Sequence, residues 1–169
     1  NSLSQLLLKI TCPGVPDFYQ GTELWDFNLV DPDNRRPVDY KVRRELLAKV
    51  KGGALEESKL FVIWRTLQLR NGNRELFTLG DYVPIAAPSE HVCAFARQWK
   101  DQRITVVAPR LIYGLCGGKL VQPTGAAWKD AALDTEIKNL RNVFTGETVN
   151  SNRLADILKT YPIALLAPR

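Results

Sequence analysis

An α+β chain is what this sequence predicts, with a helical and α/β first half giving way near Gly80 to an antiparallel all-β second half. Three observations carry that reading. Apolar residues recur every four positions at Val38, Val42, Leu46 and Val50, and a second apolar run follows from Leu60 to Leu69, so two helices occupy the middle of the first half. After Gly80 the pattern changes to short apolar runs separated by Pro, Gly, Asp and Lys, the punctuation of an antiparallel unit. The length of 169 residues, with 45% hydrophobic and 24% charged side chains, suits one domain or two small ones with a real core.

The elements follow in chain order. Ser4–Ile10 is a short, mostly apolar helical stretch that Pro13 and Gly14 break. Val15–Gln20 reads as a strand with both faces covered, which suits a parallel strand inside an α/β structure. From Gly21 to Arg36 no period is visible, and Asp31, Pro32, Asp33 and Asn34 give a turn-rich loop of the length that usually binds something. Pro37 stands where a first helical residue is favoured, because its missing N–H would have had no partner there anyway; that helix ends at Gly52 and Gly53. The next, from about Ser58 to Arg70, is apolar on nearly all sides and therefore buried, and Asn71 and Gly72 close it. Strands are expected at Val83–Ala86, Val92–Trp99, Ile104–Ala108 and Ile137–Leu140. A hairpin of Arg141–Phe144 with Thr148–Val149 turns about Gly146, Leu154–Lys159 makes one or two helical turns, and Ile163–Ala167 is a closing strand.

Composition removes several classes of function. No run of 18 apolar residues exists to cross a membrane, and the opening NSLSQLLLKI lacks the basic start and cleavage site of a secretory signal. The start and the absence of methionine suggest a piece of a longer protein. The net charge of +5 is concentrated between Arg35 and Lys51, where it reads as a solvated helix face, without the interleaved aromatics of a nucleic-acid site. Cys12, Cys93 and Cys116 are odd in number and widely spaced, as for reduced thiols in a cytoplasmic protein, and with His91 as the single histidine no zinc site is expected. No cofactor or metal is implied.

The densest set of functional side chains lies in the loop before the first long helix: Asp17, Tyr19, Gln20, Glu23, Trp25, Asp26, Asp31, Asp33, Asn34, Arg35 and Arg36. Carboxylates, guanidinium groups and exposed rings together suit a sugar, whose hydroxyls need paired polar partners and whose apolar face stacks on aromatics. The competing reading has Asp31 and Asp33 building turns while Arg35 and Arg36 only charge the start of a helix.

At these residues the chain resembles a known family. PGVPDFYQGTELWDF is similar to the last barrel strand and following loop of the α-amylase clan. LVDPDNRRPVDY narrows the resemblance to the maltooligosyltrehalose synthase family, the (1→4)-α-D-glucan 1-α-D-glucosylmutases. KLFVIWRTLQLR, GDYVPI, RITVVAPRL, NVFTGETV and LADILKTYPIALL extend it in order along the chain. The resemblance implies that residues 1–80 are the C-terminal end of a (β/α)8 barrel, contributing its last strand, loop and helices. Residues 81–169 would be a C-terminal β-sandwich domain. The family's three catalytic carboxylates sit on earlier barrel strands, so the implied partner is the remaining N-terminal part of the same polypeptide, and the chain alone is expected to be inactive. The implied substrate is a maltooligosaccharide whose reducing-end α-1,4 link becomes an α,α-1,1 link; no nucleic acid or membrane is involved.

On the same resemblance Arg35 is the first candidate for a sugar or carboxylate contact, followed by Asp33, Asn34 and Arg36, with Gln20, Glu23 and Trp25 just past the strand end. Asp17 and Tyr19 are weaker candidates, because packing inside the barrel competes with ligand contact. Trp64 reads as core, His91 as a surface residue, and Trp99 and Trp128 as packing residues that could alternatively stack on glucan. Two further readings stay open: another α-glucan hydrolase or glucosyltransferase of the clan, and a non-enzymatic carbohydrate-binding β module. The first 36 residues are expected to be mobile or differently placed in the isolated chain, since one barrel strand cannot close a barrel.

Overall fold

The computed structural model describes residues 1–32, 35–53 and 58–169. Helix α1 (Ser2–Thr11) opens the chain; α2 (Tyr40–Lys51), α3 (Ser58–Gly72) and the short α4 (Arg74–Thr78) follow the long loop. The second half adds β1 (Asp81–Pro84), β2 (Val92–Trp99), β3 (Gln102–Pro109), α5 (Ile112–Leu115), a 3₁₀ turn at Gly125–Trp128, β4 (Leu140–Asn142), β5 (Thr148–Val149), α6 (Leu154–Ile157) and β6 (Ala164–Ala167). The α+β class with an antiparallel sheet is as the sequence predicts.

Among the described residues the strands form one six-stranded sheet in the order β1-β2-β3-β6-β4-β5, antiparallel throughout. This corrects the expected sandwich of two sheets. The reason lies in what covers each face. Alternation along β2, β3 and β6 sends Phe95, Ile104, Val106 and Leu165 to one face, where α1, α3 and α4 supply Leu7, Ile10, Val62, Leu76 and Phe77. Ala94, Ala96, Val107, Ala164 and Leu166 point the other way, onto Trp128, Leu133, Leu154, Ile157 and Leu158 from the irregular segments and α6. Helices on one side and wrapped loops on the other leave neither face for a second sheet. The segments before and after Gly80 therefore share one core.

Three local expectations are corrected. Val15–Gln20 forms no strand: Val15 is 94% exposed and Tyr19 45%, and among the described residues no ladder partner runs beside them. A strand with both faces covered needs neighbours on both edges and both faces, which this chain does not provide. The second helix starts at Tyr40, not at Pro37, because the Asp39 side chain accepts a hydrogen bond from the Val42 N–H at 3.0 Å and so sets the cap three residues later. The strand expected at Ile137–Leu140 begins only at Leu140 and runs to Asn142, paired with β5.

Arginines that donate to backbone carbonyls fasten the helical layer to the sheet and its helices to one another. Arg97, on β2 and only 1% exposed, donates to Thr11 O (3.1 Å), Phe77 O (3.1 Å), Gly80 O (2.8 Å) and Asp81 O (3.3 Å). Arg70 of α3 donates to Ile10 O (2.7 Å) and Gly14 O (2.6 Å), and Arg65 reaches Val143 O through two nitrogens at 3.1 and 3.0 Å. The last carbonyls of a helix have no intrahelical partner and carry the negative end of its dipole, so cationic donors suit the ends of α1 and α4. Burial pulls the Arg97 guanidinium below its ordinary pKa.

Candidate functional site

The loop between α1 and α2 is shaped by hydrogen bonds from the two helices that follow it. Tyr19 to Leu24 make a tight turn in which the Thr22 hydroxyl and N–H both donate to Tyr19 O, at 2.7 and 3.2 Å. Gly21 lies at φ +92°, a conformation that favours glycine, and a Cβ there would meet Val38 Cγ2 at 3.3 Å. Arg43 of α2 grips this turn: Nε donates to Glu23 Oε2 at 3.0 Å, Nη2 to Gly21 O at 2.7 Å, and Nη1 to Asp39 O at 3.1 Å. Lys59 at the start of α3 donates to Leu24 O at 3.0 Å and lies 5.8 Å from the Trp25 ring centroid, its ammonium pulled below the usual pKa by burial.

The candidates divide into groups. Glu23, Gln20 and Trp25 sit on the gripped turn: Glu23 against Arg43, Gln20 Oε1 accepting from the Tyr40 hydroxyl at 3.4 Å, and Trp25 half-exposed beside Lys59. Arg35 is further along and exposed, paired bidentately with Asp31; the Nε–Oδ1 distance is 2.9 Å and Nη2 meets Oδ2. The Asp31 hydrogen bond raises the Arg35 pKa, and Tyr19 adds in the same direction. Arg36 and Asp17 are exposed. Asp33 and Asn34 lie outside the described residues.

Arg43 and Lys59 were not among the candidates. Counting Arg43 as solvated helix charge is corrected by its position: its side chain is 19% exposed and every nitrogen has an acceptor. Its single sequence signal was a basic residue one turn into a helix whose preceding loop carries a carboxylate. We expect Arg43→Ala to release the 19–25 turn, raising protease cleavage there roughly fivefold, the equivalent of about 1 kcal/mol for a lost charged hydrogen-bond set. Unchanged cleavage kinetics would show that the turn holds itself.

The tryptophans resolve differently. Trp128 is 2% exposed and its Nε1 donates to Pro123 O at 2.8 Å, so its ring is committed to packing and closed to glucan. Trp99 packs partly against the first core, with Lys100 Nζ 5.4 Å from its ring centroid. Trp64, expected in the core, is half-buried and lines an open groove with Leu47, Leu67 and Phe77. No helix among the described residues is long and apolar enough to cross a membrane.

Comparison with known proteins adds a global match to this local geometry. No family model matches the chain. Two Mycobacterium tuberculosis proteins, from strains CDC 1551 / Oshkosh and H37Rv, are assigned the name maltooligosyl trehalose synthase and are 38% identical to it over 170 aligned residues. That alignment takes in 98% of this chain and 20% of each relative. The solved maltooligosyltrehalose synthase of Arthrobacter ramosus superposes with a TM-score of 0.82 at 38% identity, covering 99% of this chain and 22% of that one. A second solved maltooligosyl trehalose synthase gives 0.70 at 30% identity. The chain thus spans about one fifth of the length of the relatives it matches. Over nearly its whole length, it is similar to the C-terminal part of the maltooligosyltrehalose synthases.

Proposed function

We propose that the chain is the C-terminal part of a (1→4)-α-D-glucan 1-α-D-glucosylmutase, whose residues 1–80 complete a (β/α)8 barrel and whose residues 81–169 form the β domain packed against it. The observation that carries this is the alignment of 98% of the chain, at 38% identity, with the tail of proteins bearing that name. On this reading Val15–Gln20 becomes a ladder-paired strand once the other barrel strands flank it. The loop that follows then stands at the C-terminal end of the barrel, where active sites of this fold are built.

The chemistry would follow the retaining template. One carboxylate outside this chain attacks the anomeric carbon at the reducing-end link, and a second protonates the departing glycosidic oxygen. The freed glucose then turns within the closed site, and its anomeric hydroxyl attacks the glycosyl-enzyme as the second group takes the proton. Residues of this chain contribute positioning. Trp25 offers a half-exposed ring for the sugar face. Arg35 presents fork donors whose direction Asp31 sets, and Gln20 and Glu23 stand on a turn that Arg43 keeps in place. Asp17, Tyr19 and Arg36, with Asp33 and Asn34, complete the proposed substrate wall.

Three experiments test the reading. The full-length protein given maltopentaose should yield a non-reducing maltooligosyltrehalose, while the 169-residue chain alone converts nothing. Glucose and maltose without a non-reducing product would identify a hydrolase of the clan instead. In the full-length protein, Arg35→Ala should raise KM about tenfold with a smaller change in kcat, as for a group that binds substrate and transition state alike. An unchanged KM removes Arg35 from the substrate wall. Saturable glucan binding by the isolated chain that survives changes in the loop and is lost with Trp99 would favour the β-module reading.

A further inference from the structure

Helix α3 is apolar on more sides than this chain covers. Phe61 and Val62 enter the core shared with the sheet, whereas Trp64 and Leu67 remain half-buried on another side of the same helix. Together with Leu47 of α2, Ile63 and Phe77 they line an open groove of about 700 Å³ between α2, α3 and α4. A helix apolar all round belongs inside a larger body, and a continuous apolar patch of this kind marks an interface. Polar groups reach the groove as Gln68, Arg70, Asn71, Arg74 and Thr78; Arg70 Nη1 and Nη2 already donate to Ile10 O and Gly14 O at 2.7 and 2.6 Å, and Asn71 Oδ1 is taken by Arg74 Nε and Nη2 at 3.1 and 2.9 Å. A sugar seated here would leave most hydroxyls without partners, so the groove suits apolar side chains.

We infer that this groove is the seat of the polypeptide that precedes Asn1 in the full-length protein, filled by apolar side chains of that preceding segment. The inference rests on the reading of the chain as the tail of a longer enzyme and names the surface through which the tail is held. The relatives extend over roughly five times this chain's length, since it covers 20% of them, so a large body of sequence is available to supply the missing cover. The helical layer already bonds to the sheet through Arg97 and to the segment after β4 through Arg65, while Arg70 ties α3 to α1. The groove is what remains for an outside partner.

The test uses single cysteines in the full-length protein, with maleimide labelling followed residue by residue by peptide mapping. Leu67→Cys and Gln68→Cys probe the groove; Asp101→Cys, on the exposed β2–β3 turn, is the reference. Both groove positions should label at least about tenfold more slowly than position 101, at a rate independent of protein concentration, as expected for sites that open only rarely. Gln68 is exposed and polar in this chain, so its substitution keeps the test sound even if the one at Leu67 disturbs folding. Equal labelling at all three positions overturns the inference. Protection that fades on dilution overturns it too, because the occupant is then a second copy. Labelling needs no turnover: a full-length protein that protects the groove yet makes no trehalose-type product sinks the enzyme reading and leaves this one standing.

Discussion

Replacing Arg97 with methionine should lower the unfolding free energy by about 3 kcal/mol, which for a domain of this size is roughly 6–12 °C in Tm. Two effects oppose each other. Methionine relieves the cost of holding a guanidinium at 1% exposure, a cost visible in its lowered pKa. Against that, Thr11 O, Phe77 O, Gly80 O and Asp81 O lose their shared donor at once. A buried acceptor left without a partner costs about 1–3 kcal/mol, so losing a donor shared by four outweighs the relief. Arg97→Lys keeps the charge but replaces a planar fork with a compact ammonium, which cannot span carbonyls on α1, α4 and β1 together, and should fall between. Urea unfolding of the 169-residue chain measures all three. A methionine variant within about 1 kcal/mol of the parent would mean that the carbonyls find water.

Gly80→Ala is expected to cost a similar amount, about 3 kcal/mol, by overpacking. An added Cβ would overlap the Leu76 carbonyl oxygen outright and come within 2.9 Å of Gln98 O. Both are backbone atoms, one in the last turn of α4 and one in β2, so no side chain can swing aside. The helix must lift from the sheet, and in lifting it pulls Phe77 O and Gly80 O away from Arg97. The two substitutions should therefore be less than additive: the double variant should lose clearly less than the sum, whereas independent sites add within about 0.5 kcal/mol. Full additivity in the same urea series would show that α4 adjusts without disturbing the arginine.

Which parts of this fold were legible in the sequence follows from how local their causes are. The period-four positions of α2 and the alternation in β2 and β3 are written in neighbouring residues, and the hairpin about Gly146 needs only its own turn. Val15–Gln20 misled because its apolar pattern answers to strands that this chain does not contain. Arg97 was hidden for the opposite reason: in VCAFARQW it shares a face with Cys93 and Phe95, and only the assembled structure shows that the charge points inward toward helix ends 20 and 86 residues away. The candidate loop was legible as a collection of side chains. Its grip by Arg43 and Lys59 was not, because those contacts span 20 to 35 residues. The irregular cover over the second sheet face, from Arg110 to Glu136, carries no period and none of its elements was read; only Trp128 was singled out as a packing residue.

The placement of β6 between β3 and β4 has a consequence for how the molecule is made. Among the described residues the β4–β5 hairpin joins the other strands solely through β6, so the two parts of the sheet have no common ladder until Ala164–Ala167 arrive. A nascent chain emerging from the ribosome can assemble the three-stranded meander β1-β2-β3 early, since those pairings are close in sequence, but must hold its edge at β3 unsatisfied until the final strand is translated. The keystone of the sheet is thus the last strand delivered, and a stop codon anywhere after Tyr161 and before Ala167 would release a protein with two unjoined sheet fragments and an adhesive open edge.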